Sequence, residues 1–128
     1  MDTKKKILIV DDDTFLLDMY ALKFNKSNFD VTIAIGAEDA LKRLKEGFSP
    51  DIILLDIMMP QIDGFEFMEI MNREHLASNA KRIILSNKGQ LSDISRGESL
   101  GSSGYIVKAS STPSEVIEKV NEIINNLN

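Results

Sequence analysis

Apolar residues fall into two alternating kinds of segment along this chain. The first are short unbroken runs rich in Ile, Val and Leu, such as Ile7-Leu8-Ile9-Val10 and Ile52-Ile53-Leu54-Leu55. Runs with so little internal alternation fit strands covered on both faces. The second are stretches with helical spacing: Leu16, Met19, Tyr20 and Phe24 make one stripe, and Ala37, Ala40, Leu41 and Leu44 another. Gly64 to Asn72 predicts a shorter third helix with Phe67, Ile70 and Met71 on its inner face. The last stripe is Ile117, Val120, Ile124 and Leu127, opened by Thr112 as N-cap, Pro113 at the first helical position and Glu115 three residues after the cap. Gln90 to Gly101 is the weakest helix, since it offers only Leu91, Ile94 and Leu100 and is punctuated by Gly89, Gly97 and Gly101. A loosely packed helix beside a reactive site is a candidate moving part. Five strands and five helices in strict alternation predict one doubly wound α/β domain with a parallel sheet and right-handed crossovers.

Four of the apolar runs end in residues suited to phosphoryl chemistry. Ile7 to Val10 runs into Asp11 and Asp12, Ile52 to Leu55 into Asp56, Ile83 to Leu85 into Ser86, and Tyr105 to Val107 into Lys108. In an open α/β sheet, ligands bind in the crevice beyond the carboxyl ends of the strands, so these groups are expected to converge there. Three gathered carboxylates repel one another and push their pKa values upward, which calls for positive charge. A hard divalent cation such as magnesium supplies it with a few carboxylates, several waters and phosphate oxygens, and Lys108 adds a further cation. Each residue also has a plain structural reading. Asp13 is expected to cap the first helix, leaving Asp11 and Asp12 for the site. Asp56 alone would pass for a turn aspartate, and Tyr105 for a half-buried strand tyrosine. Met59 and Pro60 read as loop packing, Asp63-Gly64 as a turn using positive φ, and His75 as a surface residue.

Composition narrows the choices. At 128 residues with 43% hydrophobic content, the chain has the material for one core without a staple. Cys is absent, which excludes disulfides, thiolate metal sites and a cysteine nucleophile, and suits a cytoplasmic location. The Lys4-Lys5-Lys6 cluster precedes only four apolar residues before three aspartates, too short for a signal peptide, and no run reaches membrane-spanning length. A formal charge of -5 argues against direct nucleic-acid binding.

From Lys5 to about Leu127 the sequence resembles the receiver domain of two-component response regulators, similar to stand-alone chemotaxis and sporulation-type receivers. The resemblance rests on Ile-Leu-Ile-Val-Asp-Asp at 7–12, Leu-Asp-Ile-Met-Met-Pro-Gln-Ile-Asp-Gly at 55–64, the strand ending in Ser86, and Gly-Tyr-Ile-Val-Lys at 104–108. It implies a flavodoxin-like sheet of order 2-1-3-4-5 and a single receiver domain over 1–128. It also implies a phosphorelay role: Asp56 accepts a phosphoryl group from a phosphohistidine on a histidine kinase or phosphotransfer protein. Asp12 would be the direct metal ligand, Asp11 would act mainly through water, and the Met58 carbonyl would complete the protein ligands of magnesium, or of manganese as a substitute. Lys108 would pair with Asp56 and then with the phosphoryl oxygens. Ser86 and Tyr105 would be the switch pair, altering a surface built by the fourth helix, fifth strand and fifth helix for a downstream protein target. The chain would be a monomer or a weak phosphorylation-dependent dimer, and would catalyse its own phosphorylation and dephosphorylation rather than turn over substrate as an enzyme does. Its final stripe leaves no stretch for an output domain, so the expectation is a stand-alone receiver or a piece of a longer regulator.

Two departures from the family pattern stand out. Ala109 replaces the usual proline after the lysine; a cis Lys108-Ala109 bond is expected from crowding despite a cost of about 2.5–4 kcal/mol. Asn87 is larger than the usual small residue, and with Met58 and Lys88 it predicts a restricted pocket and slow dephosphorylation. Two rival readings remain. A haloacid dehalogenase-type phosphatase would need Thr at position 15, where this chain has Phe15; a binding-only pseudo-receiver would lack the acceptor, metal or lysine residues.

Overall fold

A computed structural model describes residues 4–126. Its elements alternate as β1 (Lys5–Asp11), α1 (Thr14–Lys26), β2 (Phe29–Ile35), α2 (Gly36–Lys45), β3 (Ile52–Leu55), α3 (Gly64–Glu74), β4 (Lys81–Ser86), α4 (Leu91–Ser99), β5 (Ser102–Val107) and α5 (Pro113–Asn125), with a 3-10 turn over Lys108–Ser110. The five strands form one parallel sheet in the order β2-β1-β3-β4-β5, as the resemblance implied.

The unbroken apolar runs are unbroken because each strand feeds two cores. Leu8, Val10, Ile53, Leu55 and Ile84 face one cluster, packed with Ala37, Ala40, Leu41 and Leu44 of α2 and Phe65, Phe67, Met68 and Met71 of α3. Ile7, Ile9, Ile52, Leu54, Ile83 and Leu85 face the other, with Leu17, Tyr20 and Phe24 of α1 and Val116, Ile117 and Val120 of α5. Successive strand side chains point to opposite faces, so a sheet covered on both sides needs an apolar residue at every step.

The helices match their stripes with adjustments at the ends. Leu17, rather than Leu16 or Met19, is the fully buried α1 residue beside Tyr20 and Phe24. α3 runs two residues past Asn72 to Glu74, and His75, exposed and left-handed at φ 55, ends it. α4 is shorter than Gln90 to Gly101, and Gly97 is its one buried residue, so its sparse packing is as expected. Asp13 caps α1 by accepting from the Phe15 and Leu16 amides, and Thr112 and Glu115 form the reciprocal capping box of α5. Leu127 lies outside the described residues. Met59 is buried, whereas Pro60 is exposed and packs little.

Two expectations are corrected. No peptide bond among the described residues is cis, so Lys108-Ala109 is trans. Without a proline ring nothing offsets the cost of the cis amide, and the chain turns instead through the 3-10 segment. Gly64 does not use positive φ. A Cβ there would lie 2.4 Å from the Asp56 carbonyl oxygen and 2.8 Å from Ile57 Cα, so Gly64 is needed for close approach of α3 to the strand end that carries Asp56. Its amide donates to the Ile57 carbonyl at 2.9 Å, and Asp63 caps the helix by accepting from the Glu66 amide.

A Gly64→Ala substitution forces backbone apart and is expected to cost about 1–3 kcal/mol in urea unfolding. His75→Gly relieves a left-handed cap and is expected to gain about 0.5–1 kcal/mol in the same measurement.

Candidate functional site

Strand register assembles the site. Val10 of β1 pairs with Leu55 of β3, and the Asp56 amide donates to the Val10 carbonyl at 3.0 Å, so Asp11 and Asp56 leave neighbouring strands side by side. Ser86 of β4 pairs with Val107 of β5, which puts Lys108 one step beyond it. Asp12 follows Asp11 and is exposed. A carboxylate oxygen from each of Asp11, Asp12 and Asp56 can be chosen so that all lie within 4.8 Å of one another.

Lys108 reaches across the gap. Its Nζ donates to Asp11 Oδ2 at 2.6 Å and to Asp56 Oδ2 at 3.0 Å, with all three side chains about nine-tenths buried. The sequence reading paired Lys108 with Asp56 alone; in the structure Asp11 is the nearer partner. The other oxygens are also engaged. Asp56 Oδ1 accepts from the Ile57 amide at 2.7 Å and the Met58 amide at 3.3 Å, and Asp11 Oδ1 accepts from the Asp13 amide at 3.0 Å. Asp56 is thereby held in one orientation with Oδ2 toward the lysine.

The electrostatics follow from this packing. Burial works against the Lys108 ammonium, but hydrogen bonding to Asp11 and the charges of Asp56 and Asp11 outweigh it and raise its pKa above the ordinary 10.5. Asp12 is raised above the usual carboxylate value, first by desolvation and then by Asp11 and Asp56 beside it, against a lowering backbone hydrogen bond. Three carboxylates against one ammonium leave the nest short of positive charge. Oxygen-only donors, a charge deficit and an exposed member to admit water fit a hard divalent cation, which Asp11, Asp12 and Asp56 are placed to hold. A recess of about 310 Å³ lined by Asp12, Ile35, Gly36, Ala37, Glu38, Pro60 and Gln61 opens beside it.

The remaining residues singled out from sequence lie around this nest. Ser86 is fully buried, and its Oγ accepts from the Lys88 amide at 3.3 Å. The Tyr105 hydroxyl donates to the Lys88 carbonyl. Its pKa is raised chiefly by burial, then by Asp93 and Asp56, against a lowering hydrogen bond with Ser86. Ser86, Lys88 and Tyr105 are therefore one connected group. Met58 is 56% exposed, and Asn87 and Lys88 are exposed too, so they sit at the mouth of the site rather than inside it. One neighbour escaped the sequence reading: Tyr20 of α1 is buried, its pKa raised first by desolvation, and its hydroxyl feels the charges of Lys108, Asp11 and Asp56. Its place in a helical apolar stripe gave no signal of that.

The family model for the response regulator receiver domain matches residues 7–121. The chain belongs to that family. Among similar proteins, the alkaline phosphatase synthesis transcriptional regulatory protein PhoP of Bacillus subtilis is 34% identical over 120 residues, covering 94% of this chain and 48% of that protein. The probable transcriptional regulator ycf27 of Guillardia theta is 30% identical over 128 residues, covering 100% of this chain and 48% of the other. A CheY-like receiver domain protein from Methanospirillum hungatei superposes with a TM-score of 0.84 at 28% identity, over 96% of this chain and 95% of that one. This receiver thus spans about half the length of the curated relatives it matches. No helix among the described residues is long and apolar enough to cross a membrane.

Replacing Lys108 by Met leaves two buried carboxylates facing each other and is expected to cost about 3 kcal/mol in urea unfolding with chelator present. The raised pKa sets the sign of its pH dependence. The stabilisation by Lys108 is fully present below 10.5 and is lost as pH rises through the higher folded value. The gap in stability between wild type and the Met variant should therefore close at strongly alkaline pH. In the same assay Asp12→Asn is expected to raise metal-free stability, by removing like charge, and to gain less from added magnesium than the wild type does.

Proposed function

We propose that this chain is a phosphoacceptor module of a two-component system, in which Asp56 takes a phosphoryl group in the presence of magnesium. The observation that carries this reading is the Lys108 ammonium bridging Asp11 and Asp56 at 2.6 and 3.0 Å at the carboxyl end of the sheet. Asp56 Oδ2 attacks phosphorus, the phosphorus–nitrogen bond of a donor phosphohistidine breaks, and the imidazole leaves with that electron pair. Most of the acceleration in such a transfer comes from positioning and positive charge. The Ile57 and Met58 amides fix the Asp56 carboxylate, and Lys108 follows charge from the carboxylates to the equatorial phosphoryl oxygens. Magnesium, held by Asp11, Asp12, Asp56 and the Met58 carbonyl, would supply the remaining positive charge. The product adds negative charge, which draws the Ser86 hydroxyl; because Ser86, Lys88 and Tyr105 are connected, the Tyr105 ring and the α4-β5-α5 surface respond.

The donor and target are proteins in this reading. Phe15, Ile35, Met58 and Leu91 are 78%, 56%, 56% and 83% exposed, and all four stand at the carboxyl-end rim of the sheet: Phe15 and Leu91 in the first turns of α1 and α4, Ile35 at the end of β2, and Met58 in the loop after β3. Large apolar side chains around a charged centre suit a protein surface that excludes water during transfer. Residues 1–128 act as one receiver domain, monomeric or weakly dimeric when phosphorylated, in the cytoplasm. The net charge of -5 supports output through protein contacts rather than through nucleic acid bound by this domain.

Intact-mass measurement after incubation with acetyl phosphate and magnesium is expected to show one phosphate-sized gain in wild type and none in Asp56→Asn. A gain retained by the variant would remove Asp56 from its role. Met58, Asn87 and Lys88 are exposed at the mouth of the site and do not enclose it, so slow loss of the phosphoryl group in this reading comes from the Met58 thioether, a poor hydrogen-bond partner for an attacking water. A Met58→Asn variant is expected to hydrolyse about tenfold faster, because an amide can orient water where a thioether cannot.

A further inference from the structure

Arg82 is the buried cation that the site does not use. It is 7% exposed near the start of β4, at the end of the sheet opposite the carboxylate nest, and desolvation lowers its pKa. Among the described residues its partners include no carboxylate. Nη1 donates to Asn72 Oδ1 at 2.6 Å and to the Leu100 carbonyl at 3.1 Å, and Asn72 Nδ2 donates to that same carbonyl at 3.1 Å. Leu100 is the C-cap of α4. A guanidinium without a counter-ion is thus placed against the negative end of a helix, where the helix dipole compensates its charge. β4, α3 and the end of α4 are joined at one point.

A second anchor lies one turn earlier. Arg96 of α4 stacks its guanidinium 4.4 Å from the centroid of the buried Phe65 ring and approaches Glu69 at 3.3 Å, both on α3. The other end of α4 has nothing comparable. Its N-cap, Gln90, makes no side-chain cap hydrogen bond, Leu91 is 83% exposed, and Asn87, Lys88 and Gly89 leading into it are exposed. That loop is also where the Ser86 and Tyr105 contacts to Lys88 converge.

We propose that α4 is a lever with one fixed end: Arg82, Asn72 and Arg96 pin its carboxyl-terminal half to α3 and β4, so that changes at the Ser86–Lys88 loop move only its amino-terminal turn. The trigger for that motion rests on the proposed phosphoacceptor function; the fixed end does not. Motion of the free turn relative to β5 reshapes the groove lined by Ile94, Glu98, Ser102, Ser103, Gly104 and Tyr105.

The absence of cysteine allows a direct test with pairs of spin labels on the full chain. One pair joins Leu91→Cys to Lys42→Cys on α2, the other Glu98→Cys to Lys42→Cys, and dipolar spectroscopy gives each distance distribution. Without phosphodonor, the Leu91 pair is expected to be about twice as broad as the Glu98 pair, as befits a locally less stable end. With acetyl phosphate and magnesium, the Leu91 distance is expected to shift while the Glu98 distance stays. Arg82→Met is expected to broaden the Glu98 distribution, and the surface substitution Arg96→Gln, which leaves the core intact, to broaden it to a smaller degree. Equal widths for the two pairs, a shift shared by both, or a Glu98 distribution indifferent to both substitutions would overturn the lever. Intact mass on the same samples separates the two ideas. Failure to gain phosphate counts against the acceptor reading, while the untreated distributions and the two arginine variants still decide whether the end is fixed.

Discussion

The ammonium of Lys108 between Asp11 and Asp56 ties together the ends of three strands that are not consecutive in the chain. β1 and β3 are neighbours, but β5 is separated from them by β4, and the lysine stem spans that interval. Two carboxylates on adjoining strands, each largely buried, would repel strongly without it. The cation is itself desolvated, and its raised pKa shows that attraction to the two acids exceeds the cost of burial. The arrangement holds only if β1 and β3 stay in register at Val10 and Leu55 and β4 and β5 at Ser86 and Val107. A slip in either pair would separate the charges.

Much of the remaining structure keeps that register. Both faces of the sheet are buried in apolar clusters, so a slipped strand would have to repack its Ile, Leu and Val side chains in both cores at once and would carry the polar residues at its ends into them. Close approach at Gly64 sets the first turn of α3 directly against the backbone of Asp56, and capping by Asp13 holds the first turn of α1 beside Asp12. The nest is therefore rigid where charge must be positioned. Packing is sparsest at the amino-terminal turn of α4, which is uncapped and lies next to Ser86 and Lys88. In the proposed reading, a change of charge at Asp56 is passed to that sparsely packed turn through Ser86 and Lys88.

The order of elements and most of the site were legible in the residues because both depend on short-range regularities. Apolar runs and stripes report burial through the periods of strands and helices, and caps such as Asp13 and Thr112 act on amides two or three positions away. Placing Asp11, Asp12, Asp56, Ser86 and Lys108 at strand ends was enough to gather them, since parallel strands end together. The errors came where a local pattern had more than one physical cause. Gly64 looked like a turn residue needing positive φ, and only the proximity of the Asp56 carbonyl shows that it is a residue with no room for a side chain. The turn after Lys108 was expected to keep a cis bond although its proline is missing, yet the chain solves the same turn with a trans bond and a 3-10 segment.

What the sequence determined by itself was the sheet-and-helix alternation, the two-sided core and the set of polar residues at the carboxyl ends of the strands, all of them consequences of neighbours within a few positions. Only the tertiary structure decided that Lys108 lies nearer Asp11 than Asp56, that the Tyr105 hydroxyl meets the Lys88 carbonyl, and that Arg82 and Asn72 close on the end of α4. Those contacts join residues 10 to 97 positions apart. Their distances depend on how whole elements pack and where long side chains come to rest, and no local period encodes that.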